Sequence, residues 1–153
     1  MLNPQYVVGF VDGEGCFSIT INKNDNRLSE VRLIFEIELR EGDEPILHEI
    51  RKILECGNIY RLDYERYAKW RPHVKYKVSN FYDISNKIIP FFEKYPLQAK
   101  KRLQFKEFCY VVELIKAKAH LTPEGIAKIQ ALRHKDSLDA LDAHVQWGAP
   151  EIT

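Results

Sequence analysis

Residues 7–15 read "VVGFVDGEG", and the next nine, "CFSITINKN", change period. Asn3 and Pro4 look like a helix start, with Asn3 as N-cap and Pro4 at the first helical position. The helix is predicted to run to about Gly13 and to be ended by Gly15. Phe17, Ile19 and Ile21 then alternate with Ser18, Thr20, Asn22 and Asn24, the pattern of a strand. A chain that leaves a helix and enters a strand within one or two residues has few folds open to it. Gly9 and Gly13 are four residues apart on one helix face. Each costs about 1 kcal/mol relative to alanine, so both need a reason. Bare positions at that spacing let another helix backbone come close, a device best known from membrane helices. No other helix in the chain is glycine-rich, so the expected partner is the same helix of a second copy across a twofold axis. Tyr6 and Phe10, also four apart, are expected to point into the core.

Asp12 and Glu14 are badly placed for a helix end. Acids there face the negative end of the macrodipole, at about 0.3–1 kcal/mol each. A divalent cation would reverse that cost, because hard cations take oxygen ligands. Two copies of Glu14 meeting at a twofold axis would repel unless cations neutralised them. The alternative is that the two acids cap backbone amides in the turn into the first strand, a role that suits Asp12 better than Glu14.

Further along, "VRLIFEIEL" puts Val31, Leu33, Phe35, Ile37 and Leu39 on one face, and with the first strand it forms a predicted hairpin. "ILHEIRKILEC" is an amphipathic helix with Gly57 past its end. "NIYRLDYER" and "HVKYKVSN" form a second predicted hairpin. "DISNKIIPFFEKY" is a short helix broken by Pro90, and a long helix from Leu97 to about Ala119 turns Leu103, Phe105, Phe108, Cys109, Val112 and Leu114 inward. Thr122 and Pro123 open a last helix to about His134. Residues 1–135 read as a single domain and 136–153 as a weakly patterned tail. The order α-β-β-α-β-β-α gives an α+β fold: one four-stranded antiparallel sheet with helices on one face. Its open face is expected to show Ser18, Thr20, Asn22, Asn24, Arg32, Glu36, Glu38, Arg61, Asp63, Lys75 and Lys77. Such side chains suit base edges in a major groove. Any half-exposed sheet also has one polar face, and on this feature alone that simpler reading comes first.

The chain of 153 residues, 45% hydrophobic and 29% charged, suits one domain with a buried core. No stretch approaches a membrane span, and no secretory signal is evident. Cys16, Cys56 and Cys109 are neither a disulfide framework nor a zinc pattern, which points to a reducing compartment. Net charge is only +1, but charge is unevenly spread. Acids outnumber bases eight to four over Glu30–Glu55, and bases outnumber acids six to two over Arg61–Lys77. Lys100, Lys101, Arg102 and Lys106 then cluster. A near-neutral chain of this kind can still present one basic face, or simply carry solvated charge.

"VVGFVDGEG" resembles the nine-residue signature of the LAGLIDADG homing endonucleases, with glycines at Gly9 and Gly15 and acids at Asp12 and Glu14. The element order over about residues 4–120 fits that family. "KYPLQAKK" (94–101) resembles its later basic motif. One copy of the signature implies a homodimer, with Gly9, Asp12 and Gly13 at the interface. The resemblance implies cleavage of both strands of a long, partly palindromic DNA site with Mg²⁺ or Mn²⁺. It makes Glu14 the metal ligand, aided by backbone carbonyls near Gly13, and Lys101, with Lys100 second, the group that balances charge on the phosphate. The polar sheet face would read the DNA. A glutamine that some members carry at the end of the second strand has no counterpart among Glu38, Leu39 and Arg40. The family also contains intron RNA-binding maturases that have lost cleavage, and a non-catalytic dimeric binding module is a third reading. The family occurs in introns and inteins of organelles, bacteria and archaea.

Overall fold

A computed structural model describes residues 1–22, 29–62 and 72–132. The chain divides into two compact units, Met1–Ile21 with Val31–Phe108, and Asn22–Glu30 with Cys109–Thr153. The elements run α1 (Pro4–Glu14), β1 (Gly15–Asn22), β2 (Glu30–Arg40), α2 (Glu44–Leu54), β3 (Asn58–Leu62), β4 (His73–Val78), α3 (Phe81–Asp83), α4 (Ile89–Lys94) and α5 (Lys101–Lys116). A final helix, α6, covers 123–132. The predicted tail, Asn24 and Asp63 lie outside the described residues.

The sheet has the order β1-β2-β4-β3, so both predicted hairpins form and β2 joins β4 at the centre. β2 and β4 pair antiparallel with Phe35 opposite Val78, Ile37 opposite Tyr76 and Leu39 opposite Val74. β3 adds to the other edge of β4, with Ile59 opposite Tyr76. These residues share the face that the helices cover. Phe17 sits at its centre, with ring centroids 4.9 Å from Phe35, 5.3 Å from Phe108 and 5.5 Å from Phe105. Phe92 of α4 meets Phe35 edge-on at 5.8 Å. Edge-to-face pairs of this kind add about 0.5–1.5 kcal/mol each beyond their buried area.

Asn3 caps α1, its side chain accepting from the Gln5 amide at 2.8 Å, and Pro4 opens the helix. Val7, Val8 and Val11 are the residues α1 buries. Tyr6 is 51% exposed and Phe10 only half-buried, so the expectation that they enter the core is corrected. The reason is helical phase. Positions 7, 8 and 11 form the inward stripe, and Tyr6 and Phe10 lie beside Gly9 and Gly13 on the other. Their two rings stack on each other at 6.1 Å.

α1 passes into β1 without a loop. Gly15 is at once the helix C-cap, with its amide on the Val11 carbonyl, and the first strand residue. A Cβ there would lie 2.7 Å from Val11 Cγ1 and 2.9 Å from the Val11 oxygen. The closing glycine is therefore required by close packing, since its φ of −78° suits any residue. At the end of α2 the left-handed residue is Glu55 (φ 58°), and Lys87 Nζ donates to its carbonyl at 2.8 Å. Gly57, expected as that cap, is also left-handed (φ 87°), but it serves the entry to β3, where a Cβ would strike the Tyr76 ring. The buried Tyr76 hydroxyl donates to the Cys56 carbonyl at 2.7 Å, and burial raises the phenol well above its usual pKa.

Pro90 does not break its helix. The backbone stays helical through a wide turn at Ile84–Ile88, in which the Ile89 amide reaches back to the Ile84 carbonyl. Such a turn accommodates a proline that offers no amide of its own. α5 begins at Lys101 rather than Leu97, because residues 97–100 form a loop. Along it Phe105, Phe108, Val111 and Val112 are buried, whereas Leu103, Cys109 and Leu114 are only half-buried. In the second unit Thr122 caps α6, accepting from the Gly125 amide at 3.1 Å and donating to the Ala119 carbonyl at 2.7 Å.

Replacement of Gly15 by alanine forces Val11 against a new methyl group. A loss of about 1–3 kcal/mol is expected, the range for an overpacked site. Urea unfolding of Gly15→Ala measures it, and an unchanged midpoint would show that the junction can relax.

Candidate functional site

Glu14 is the last residue of α1 and is exposed. Its carboxylate makes no hydrogen bond or ion pair among the described residues. It therefore bears the cost of the helix dipole with nothing to offset it. Asp12 behaves differently. It accepts from two backbone amides 86 and 87 residues away, Gln98 at 2.9 Å and Ala99 at 3.1 Å. The capping role expected in the turn into β1 is thus corrected: Asp12 caps a distant loop. Gln98 and Ala99 lie just ahead of α5, and Asp12 carries an acceptor to each of their amides.

The same loop holds the two lysines. Leu97 is buried and anchors it, and the Gln98 side chain closes on the Pro96 carbonyl at 3.0 Å. The Arg102 and Leu103 amides then bond back to the Ala99 and Lys100 carbonyls, which starts α5. Lys100 is exposed and Lys101 half-buried. Asp12 thereby fixes the segment carrying Lys100 and Lys101 to the turn that ends in Glu14. Gly9 and Gly13 are exposed, and a Cβ on either would meet nothing within 4 Å. Nothing among the described residues explains them.

The second surface is the open sheet face. Register puts Glu36 opposite Lys77 and Glu38 opposite Lys75 across β2 and β4, as expected. Ser18 and Thr20 are half-buried, and Asn22 and Arg32 are exposed. Arg61 departs from this face. It is opposite the fully buried Val74 and reaches Glu44 of α2 at 3.2 and 3.3 Å. This hydrogen-bonded partner holds the Glu44 carboxyl below its ordinary pKa. β3 instead turns Asn58 and Tyr60 to the open face, opposite Lys77 and Lys75, and β4 adds His73 beside Arg40. "NIYRL" alternates poorly, and only pairing with β4 reveals its phase. Lys75 on this face is not bare. Lys75 Nζ lies 3.4 Å from Glu36 and 3.6 Å from Glu38, and His73 lies 3.4 Å from Glu38. The face is a mixed donor and acceptor array rather than a positive patch.

Among the described residues no three His, Cys, Asp or Glu side chains gather as a metal site, and no helix is long and apolar enough to cross a membrane. None of the three cysteines is in a disulfide.

The sequence pattern of LAGLIDADG endonucleases matches residues 7–112. The chain belongs to this family. The signature residues 7–15 span most of α1 and its exit into β1. A relative from Neurospora crassa, "Probable intron-encoded endonuclease 2", is 34% identical over 140 residues, which is 90% of this chain and 29% of that protein. This chain thus spans under a third of that relative. The meganuclease I-SmaMI, solved on uncleavable DNA, superposes with a TM-score of 0.78 at 32% identity, over 87% of this chain and 44% of its own. The homing endonuclease I-TnaI matches at 0.73 and 33% identity, over 84% of this chain and 83% of its own.

Lys75→Met would leave Glu36 and Glu38 side by side without their shared cation. A loss of about 0.5–1 kcal/mol is expected, near the top of the range for half-exposed pairs. Urea unfolding at low and high salt should show the loss shrinking as salt rises.

Proposed function

We propose that this chain is a site-specific double-strand DNA endonuclease that works as a homodimer on a long, pseudo-palindromic site with Mg²⁺ or Mn²⁺. The observation that carries this reading is the unpaired Glu14 carboxylate at the end of a helix whose outer stripe is bare at Gly9 and Gly13. I-TnaI, a homing endonuclease matched over most of both chains, supports a single-repeat subunit. I-SmaMI, solved on uncleaved target DNA with calcium ions, supports DNA and a divalent cation as partners.

The donor set fits a hard cation, but one chain supplies only half a site. Glu14 offers carboxylate oxygens, and Gly13 lies in the last turn of α1, where carbonyls lack helical partners. Close approach of two α1 helices through their glycine stripes would bring the second Glu14. A bound cation supplies Lewis-acid polarisation of a phosphate and a more acidic water. Glu14 would hold that ion at the exposed end of α1. Lys101, with Lys100 beside it, balances the charge that grows on the scissile phosphate. The open face of the sheet lies in the major groove, a placement with precedent among β-ribbon readers. There Glu36 and Glu38 accept from cytosine amino groups, and Lys75, Lys77 and Arg32 donate to guanine edges or phosphates.

Two substitutions test this reading. Glu14→Gln should lower Mg²⁺-dependent cleavage of the cognate duplex on the order of 10²–10³-fold, as for loss of one charge-stabilising group. DNA affinity in Ca²⁺ should stay within a few-fold. Unchanged cleavage would overturn the metal-ligand role, and intron RNA binding without any cleavage would make the protein a maturase instead. Gly9→Ala should stabilise the single chain by about 1 kcal/mol, the helix-propensity gain, while weakening self-association. Sedimentation reads the second effect, and a dimer of undiminished strength would mean that α1 is not the interface.

A further inference from the structure

We propose that Asp12 is a positioning residue, whose two backbone hydrogen bonds hold the lysine loop in register with Glu14. The inference rests on the endonuclease reading above and assigns to Asp12 more than a place at the interface. Its side chain is engaged within its own chain, at 2.9 Å from the Gln98 amide and 3.1 Å from the Ala99 amide. Each carboxylate oxygen takes one donor, so the loop is fixed in rotation as well as distance. A single bond would leave it free to swing.

The spacing on both sides of this clamp is short. Two residues after Asp12 comes Glu14, within the last turn of α1. One and two residues after Ala99 come Lys100 and Lys101, across the first turn of α5. The backbone positions that carry Glu14 and the two lysines are thus tied together through the Asp12 side chain. Errors of about 1 Å in such a constellation can cost on the order of 10²-fold in rate. The negative charge of Asp12 also lies at the positive end of α5, where an anion is favoured. Leu97 alone would keep the loop on the core, but it would not set the direction in which Lys100 and Lys101 leave it.

Asp12→Asn tests the clamp at almost constant shape. An amide has one acceptor oxygen, so one of the two bonds is lost. Amide exchange followed by NMR on the full chain should show Gln98 or Ala99 exchanging about tenfold faster, with thermal unfolding little changed. Single-turnover cleavage at saturating protein should fall about tenfold or more, with DNA affinity in Ca²⁺ unchanged. Asp12→Glu, which keeps both acceptors, should recover part of the rate. In a Lys100→Ala, Lys101→Ala background, Asp12→Asn should cost less than about twofold more, because the residue acts through those lysines. Full additivity in that background would overturn the proposal. So would unchanged exchange at both amides, or a loss of affinity that accounts for the whole loss of cleavage. If the unsubstituted protein cuts no DNA, the endonuclease reading alone fails, since the exchange measurement decides the clamp without DNA.

Discussion

The structure depends on a helix that becomes a strand with no residue between them. Gly15 must lie against Val11, closer than any side chain allows, and this contact sets the angle at which β1 leaves α1. Because the turn has no loop, the exposed end of α1 and the start of the sheet are rigidly continuous. Glu14 cannot move without moving the strand after it. Loops usually carry function because they tolerate change. Here the carboxylate sits on a junction that tolerates almost none.

Rigidity at this point is reinforced from far along the chain. Asp12 takes two amides from the loop before α5, and Leu97 pins that loop to the core. The aromatic cluster around Phe17 holds β1, β2 and the later helices against one another. The open face of the sheet is left free to vary. Its ion pairs among Glu36, Glu38, Lys75 and His73 are half-exposed and individually weak. Such a face can change its side chains with little effect on the fold.

Most of the fold was legible because its periods are clean. β4 alternates strictly and β2 does so apart from Ile34, α2 is plainly amphipathic, and the two hairpins follow from successive strand-like stretches. β3 was harder: "NIYRL" has no clear phase, so Arg61 was placed on the open face although it pairs with Glu44 behind the sheet. Tyr6 and Phe10 were misjudged because aromatic side chains at helical spacing usually mark a core, and here the valines fill it. The unpaired Glu14 and the bare glycines were readable from residue types alone. The partner of Asp12 was not, since a contact across 86 residues leaves no local trace.

If the bare stripe at Gly9 and Gly13 is where two copies meet, as proposed above, it has a consequence for gene dosage. If each chain brings half of the cutting centre, the amount of competent enzyme rises with the square of chain abundance while most chains are single. Halving expression would then lower activity to about a quarter. A DNA-cutting protein made at low levels would be nearly silent, and a modest rise would switch it on. Two thin positions on one helix would thus act as a threshold against stray breaks in the host genome.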